Sequence, residues 1–201
     1  MLSEPEIKQN MKTYFNQAFK ILNKSKTEAH YNSKWLKKLG LKEINKLADL
    51  FGLHEFEARE NIAKRMAAGK RVSLREVMYP LMQGYDSVEV KADIEIGGTD
   101  QKFNLLAGRE IQRAYGMEPQ DILLTELLEG TDGRKMSSSS GNVVNIVDVP
   151  DAMFGKIMSL DDKLIESYFM LCTDISRETI ADILKKGPRD AKLRLSREIV
   201  S

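Results

Sequence analysis

The stretch Val88 to Gln101, V-E-V-K-A-D-I-E-I-G-G-T-D-Q, constrains the fold of this chain more than any other. Val88, Val90, Ala92, Ile94 and Ile96 alternate with charged residues. That period of two predicts a strand with one apolar face. The run ends in Gly97-Gly98, a pair that tolerates backbone angles and close approaches barred to other residues. Thr99 and Asp100 then place side-chain oxygens where a helix would begin, at its positive end. From Gln101 to Tyr115, the residues Phe103, Leu106, Ala107, Ile111, Ala114 and Tyr115 recur at helical spacing. Strand, glycine turn and helix start make a place to hold a polar ligand at the C-terminal edge of a sheet. On the pentapeptide alone, a sharp turn that binds nothing explains the glycines equally well.

The flanking segments add chemistry. Ser73 and Glu76 form a capping box that opens a helix over about 74–86. At 100° per residue, Tyr79, Gln83 and Asp86 lie at about 0°, 40° and −20° on that helix. A phenol, an amide and a carboxylate thus share one narrow face, either a solvent-facing polar stripe or one wall of a pocket. Pro80 lacks the amide hydrogen for the bond to Glu76, which predicts a kink or a late start. Downstream, Ile122, Leu123, Leu124, Leu127 and Leu128 read as a buried strand. Two strands joined by a helix imply a parallel pair with a right-handed crossover, one unit of a doubly wound sheet. Gly130 to Asn142 (G-T-D-G-R-K-M-S-S-S-S-G-N) is rich in glycine, serine and donors, with two adjacent cations. A phosphate clamp needs such a loop, and a plain linker has the same composition.

The remainder reads as helical. Ser3 and Glu6 form a first capping box, followed by an apolar stripe from Ile7 to Leu22. Short helices are expected at about 41–51, 54–68, 150–158, 162–172 and 177–186, with a last one to Ser201. Lysines cluster between Lys20 and Lys46 and again, with arginines, between Lys185 and Arg197. Either cluster is a solvated helix face or a phosphate-contacting surface. The net charge of the 201 residues is only +1, so any nucleic-acid contact must come from such local patches. One cysteine, Cys172, excludes an intrachain disulfide and reads as a small buried apolar residue. Together with two histidines it makes a closed zinc site improbable, and no apolar run approaches a membrane span. A cytoplasmic protein is expected.

Three motifs then stop being independent. Y-P-L-M-Q-G-Y-D, G-G-T-D-Q and K-M-S-S-S, in this order and spacing, resemble those of a bacterial tyrosyl-tRNA synthetase. The resemblance extends to Y-N-S-K-W-L, F-N-L-L-A-G-R-E and M-F-G-K-I-M-S. It implies an α/β fold, the second half of a Rossmann-like class I synthetase catalytic domain, helix-rich, with a short parallel sheet. Residues 1–145 would be the partial catalytic domain. Within it lie a helical connecting region (1–72), the tyrosine-site helix, strand and Gly turn (73–130), and the signature loop (130–142). Residues 146–201 would be the helical region after that loop.

The implied activity joins L-tyrosine to its tRNA, tRNA(Tyr), through tyrosyl-adenylate. ATP is a substrate, magnesium comes with it, and no tightly bound cofactor is needed. The resemblance places Tyr79 and Gln83 at the substrate ammonium and neighbouring polar groups, and Asp86 at the phenolic hydroxyl. It places Gly98, Asp100 and Gln101 along the tyrosine and ribose side. Lys135 would act over the ATP phosphates, with Ser137, Ser138 and Ser139 in the same loop. Asn32 and Trp35 fall in a less diagnostic segment near the site. A homodimer is implied, with an interface near Val72 to Met78.

Two departures stand out. Ser138 replaces the second lysine of the common Lys-Met-Ser-Lys-Ser signature, which removes one positive charge, although other branches share Lys-Met-Ser-Ser-Ser. Neither His30 nor His54 lies in a His-Ile-Gly-His motif, so the chain is expected to start after that half and to stop before the anticodon-binding domains. These residues alone are then expected to be inactive in pyrophosphate exchange. Two other readings fit: a relative of tryptophanyl-tRNA synthetase, and a non-catalytic tRNA-binding module using the basic clusters.

Overall fold

The computed structural model of the protein describes residues 3–136 and 140–201. The chain forms two compact units, Ala29–Leu127 and Met1–Glu28 with Leu128–Ser201. Its elements in chain order are α1 (Glu4–Ile21), α2 (Ser33–Leu36), α3 (Leu41–Ala48), α4 (Leu53–Glu57), α5 (Glu60–Ala67), α6 (Leu74–Val90), β1 (Ile94–Gly98), α7 (Lys102–Ala114), β2 (Asp121–Thr125), α8 (Pro150–Met158), α9 (Ile165–Cys172), α10 (Arg177–Leu184) and α11 (Pro188–Val200).

Residues 29–127 hold the sheet. β1 and β2 pair in parallel from Ile94 opposite Asp121 to Gly98 opposite Thr125, with α7 as the crossover. The first strand is shorter than the alternating pattern predicts. Val88 and Val90 belong to α6, whose helical stripe buries Leu81, Gly84, Ser87 and Val88. Tyr85 supports this extension by donating from its hydroxyl to Glu89 one turn on, at 2.9 Å. The helix stops at Lys91, which takes a left-handed conformation with φ 56°. An established helix propagates cheaply, and helical burial outweighs a period of two spread over only a few residues. Pro80 does not interrupt α6 either: it is among the most buried side chains, and its packing offsets the missing hydrogen bond.

α6 and α7 pack at unusually close range. A β-carbon on Gly84 would come within 2.7 Å of Ile111 Cδ1 and 3.1 Å of the Gly108 backbone nitrogen. One on Gly108 would lie 2.5 Å from Ser87 Oγ. The two glycines therefore set the distance between these helices. Around them lies the core of Leu47, Phe56, Leu81, Val88 and Ile111. Phe51, Phe56 and Phe103 stack edge to face with centroids 5.9 and 5.4 Å apart.

The second strand, expected to be buried, is not: Leu123 on β2 is 52% exposed. On β1, Ile94 is 58% and Ile96 66% exposed, so the apolar face of the sheet lies open. The predicted helix over 54–68 is two helices, α4 and α5, broken before Glu60.

In the other unit, Ser3 and Glu6 form their capping box, with the Ser3 nitrogen donating to Glu6 Oε2 at 2.7 Å. The stripe of α1 is only partly covered: Ile7 is 44% and Tyr14 65% exposed. The core belongs to the C-terminal helices, with Ile157, Leu160, Ile165, Tyr168, Phe169, Ile180, Ala191 and Leu195 packed together. Each Leu, Ile or Phe among them contributes ~1.5–3 kcal/mol on removal from water. Cys172, expected to be buried, is exposed in the last turn of α9. Among the described residues no helix is long and apolar enough to cross a membrane.

Candidate active site

Helix α6 presents Asp86 to the turn before α2 and to α2 itself. Its carboxylate accepts from Trp35 Nε1 at 2.6 Å and from Asn32 Nδ2 at 3.3 Å. Burial pushes Asp86 above the usual aspartate range, and the two hydrogen bonds pull the other way. Two donors leave lone pairs on this carboxylate for one more. Asp86 is thus a directed acceptor, anchored across 51 residues of sequence.

One turn earlier, Gln83 Oε1 accepts from Asn104 Nδ2 at 2.8 Å. The same nitrogen donates to Gln101 Oε1 at 2.9 Å. Gln101 Nε2 in turn donates to Asp100 Oδ2 at 3.1 Å. Gly98 closes β1 directly before the 3-10 turn Thr99–Gln101 that carries these groups. Tyr79 lies on α6 beyond this network and is 59% exposed. The structure thus links Gln83, Asp100 and Gln101, sets Asp86 beside Asn32 and Trp35, and leaves Tyr79 open at the same helix face.

A second buried polar cluster holds this frame together. Gln112 Nε2 donates to the Ser87 carbonyl at 3.1 Å, and Gln112 Oε1 accepts from the Gln120 nitrogen at 2.8 Å. Gln120 Nε2 donates to Ser87 Oγ at 3.1 Å and also to Glu95. Burial raises Glu95 above the usual glutamate range. The cluster ties α6, β1, α7 and the start of β2 into one piece. A half-satisfied cluster of this kind would be destabilising; its closure makes the frame specific.

The serine-rich loop is held differently. Thr131 nitrogen bonds the Asn142 carbonyl at 3.0 Å, and Gly130 nitrogen the Arg134 carbonyl at 2.7 Å. Asn142 Nδ2 donates to Asp132 Oδ1 at 2.8 Å and to the Lys135 carbonyl at 3.3 Å. Asn142 and then Arg134 hold the Asp132 carboxyl down at about 2. A β-carbon at Gly130 would run into the Asn142 side chain. Tyr168 braces the loop entry by donating to the Glu129 carbonyl at 2.7 Å. Lys135 is exposed, and its side chain has no ion-pair partner among the described residues. Ser137, Ser138 and Ser139 lie outside the described residues.

The family described as tRNA synthetases class I (W and Y) matches residues 1–201. The chain belongs to the class I tRNA synthetases of that family. A tyrosine–tRNA ligase of Carboxydothermus hydrogenoformans is 50% identical over 207 residues, covering 100% of this chain and 50% of that one. One of Dehalococcoides mccartyi is 46% identical over 208 residues, covering 100% and 52%. The chain therefore spans about half the length of the curated relatives it matches. Among solved structures, the tyrosyl-tRNA synthetase of Archaeoglobus fulgidus complexed with L-tyrosine aligns with a TM-score of 0.71 at 22% identity, covering 94% of this chain and 69% of that one. A C-terminally truncated mitochondrial tyrosyl-tRNA synthetase of Coccidioides posadasii aligns at 0.60 and 23%, covering 94% and 60%. The backbone is that of a class I synthetase catalytic domain, helix-rich with a short parallel sheet.

The motif resemblance covers Asn32, Trp35 and Asn104 but does not foresee two sets of contacts. Asn104 is three residues past Gln101, an i, i+3 spacing that places both on one helix face, and that signal was available. The contacts of Asn32 and Trp35 with Asp86 have no signature in spacing, because packing alone brings them together. The basic clusters are in part committed elsewhere. Lys192 pairs with Asp162, Lys185 with Asp182 and Arg194 with Glu198, while Lys46 sits 3.9 Å over the Tyr115 ring.

Proposed function

We propose that this chain carries the tyrosine-recognising part and the signature loop of a tyrosine–tRNA ligase. The observation that carries the reading is Asp86, a half-buried carboxylate aimed by Trp35 and Asn32. A hydroxyl that donates to the remaining lone pairs of such a group is preferred over a ring that covers them without a donor. Gln83, Gln101 and Tyr79 would take the amino-acid end of the substrate, and Gly98 and Asp100 the ribose side. The substrate carboxylate attacks the α-phosphorus of ATP and expels pyrophosphate, giving tyrosyl-adenylate; a terminal hydroxyl of tRNA(Tyr) then attacks the activated carbonyl and expels AMP, and magnesium would accompany the ATP phosphates. No protein nucleophile is required. Catalysis is positioning plus charge stabilisation, and Lys135, an exposed cation with Ser137, Ser138 and Ser139 beside it in sequence, suits the phosphates. The cytoplasm is where such a protein works.

Calorimetric titration of the chain with L-tyrosine, L-phenylalanine and L-tryptophan tests the reading. Binding of tyrosine alone supports it; selective binding of tryptophan, or of no amino acid, would overturn it. The tRNA-binding module without an amino-acid site predicts the last outcome, with salt-sensitive RNA affinity. The ion pairs of Lys185, Lys192 and Arg194 weigh against it.

The same reading includes a homodimer through Val72–Met78. Leu74 is 72% exposed there, and a stable interface needs roughly 800 Å² per partner. Sedimentation at high micromolar concentration should show the dimer, and Leu74→Asp should shift it to monomer.

A further inference from the structure

Asn104 is 3% exposed, in the first turn of α7. Its single side-chain nitrogen donates to both Gln83 Oε1 and Gln101 Oε1. Its own Oδ1 is buried without a hydrogen-bond partner among the described residues. A buried carbonyl oxygen left unpaired is unfavourable, and folding gains nothing from it. An apolar residue of similar shape would pack α7 against α6 without that cost, so the two bonds it makes need a different reason.

Both acceptors are the free-swinging amides assigned to the substrate. An unrestrained glutamine amide can turn over and exchange its oxygen for its nitrogen. With Oε1 held on Asn104, that exchange is blocked in both side chains at once. Gln101 must then point Nε2 at Asp100, as it does at 3.1 Å. Gln83 keeps one lone pair and both amide hydrogens in fixed directions. We infer that Asn104 is a positioning residue for tyrosine recognition: it locks the polarity of Gln83 and Gln101 through one buried nitrogen. This rests on the tyrosine-site reading above. The locking role is distinct from tying α6 to α7, because a mere tie would act on folding and leave ligand affinity alone.

The test is calorimetric titration of the 201-residue chain with L-tyrosine, with thermal melts run beside it. Asn104→Asp keeps the shape and removes the donors, so both amides should turn their nitrogens toward it. Tyrosine Kd should rise at least tenfold while the melt stays cooperative. Asn104→Ser, which shortens the side chain, should weaken binding similarly and serves if the buried aspartate does not fold. In a Gln83→Ala, Gln101→Ala background, the Asn104 variant that folds should change Kd by less than twofold, since nothing is left to orient. A folded variant that binds within twofold of the unaltered chain would overturn the inference, as would full additivity in that background. If the unaltered chain takes up no tyrosine, the tyrosine-site reading itself fails and this inference falls with it. Normal binding with an insensitive Asn104 variant defeats this inference alone.

Discussion

Residues 29–127 and the loop 130–142 hold their polar groups in opposite ways. In the first, side chain bonds to side chain: Asp86 to Trp35, Gln83 to Asn104, Gln120 to Ser87. In the second, the base is fastened by Asn142, Asp132 and backbone bonds, and the cation Lys135 is left exposed. The first arrangement is built before a ligand arrives. The second has a hydrogen-bonded base and an exposed cation with no ion-pair partner among the described residues. Recognition of a neutral amino acid profits from the former, and charge that develops during phosphoryl chemistry profits from the latter.

The largest expected effect breaks the first region. Asp86→Ala should weaken tyrosine binding by ~100-fold, about 2.7 kcal/mol, and change phenylalanine binding only a few-fold. Calorimetry on the chain reads both; an unchanged ratio would remove Asp86 from the recognition role. Next, Lys135→Ala in a full-length ligase carrying these residues should slow adenylate formation by tenfold or more, about 1.4 kcal/mol. Tyrosine affinity should not move. The reverse pattern, lost affinity with an unchanged rate, would mean that the two regions do not divide the work in this way.

Acid should separate the regions as well. Asp86 accepts the phenolic hydrogen most strongly when ionised, and burial pushes its pKa above the usual aspartate range. Tyrosine affinity should therefore fall on acidification, with a midpoint above the usual aspartate range. Trp35→Phe removes a donor that favours the ionised form, so that midpoint should rise further. Asp132 at the loop base, held at about 2, stays ionised throughout. A pH series of tyrosine titrations on both proteins checks the direction. The smallest effect is a control. Ser73→Ala removes the cap of α6 and should cost ~1 kcal/mol of stability, visible in a thermal melt, with tyrosine affinity intact.

How much of this the sequence carried varies by region. The capping boxes at Ser3 and Ser73, the parallel strands and the face shared by Gln83 and Asp86 follow from local periodicity, and the structure has them. Local periodicity misleads where two periods compete. Val88 and Val90 fit a strand on paper, yet they extend α6 because helical burial of Val88 wins. The exposure of Ile94, Ile96 and Leu123 was legible only as an apolar face, since covering it is a matter of tertiary partners. Motif resemblance sets Trp35 near the site, but its bond to Asp86 is not legible in the order of residues. The roles of Tyr79, Gly98 and Lys135 rest on motif resemblance together with their placement, and titration decides them.

The contact of Gly84 with Gly108 gives the molecule a mutational lever. No ligand-facing group belongs to either residue. Yet a single methyl at Gly84 would act as a wedge, forcing α6 off the Gly108 backbone and stretching the 2.8 Å bond between Gln83 and Asn104. Tyrosine affinity would then drift in a variant whose altered atom touches no substrate, a change that the spacing of two helices carries to the site.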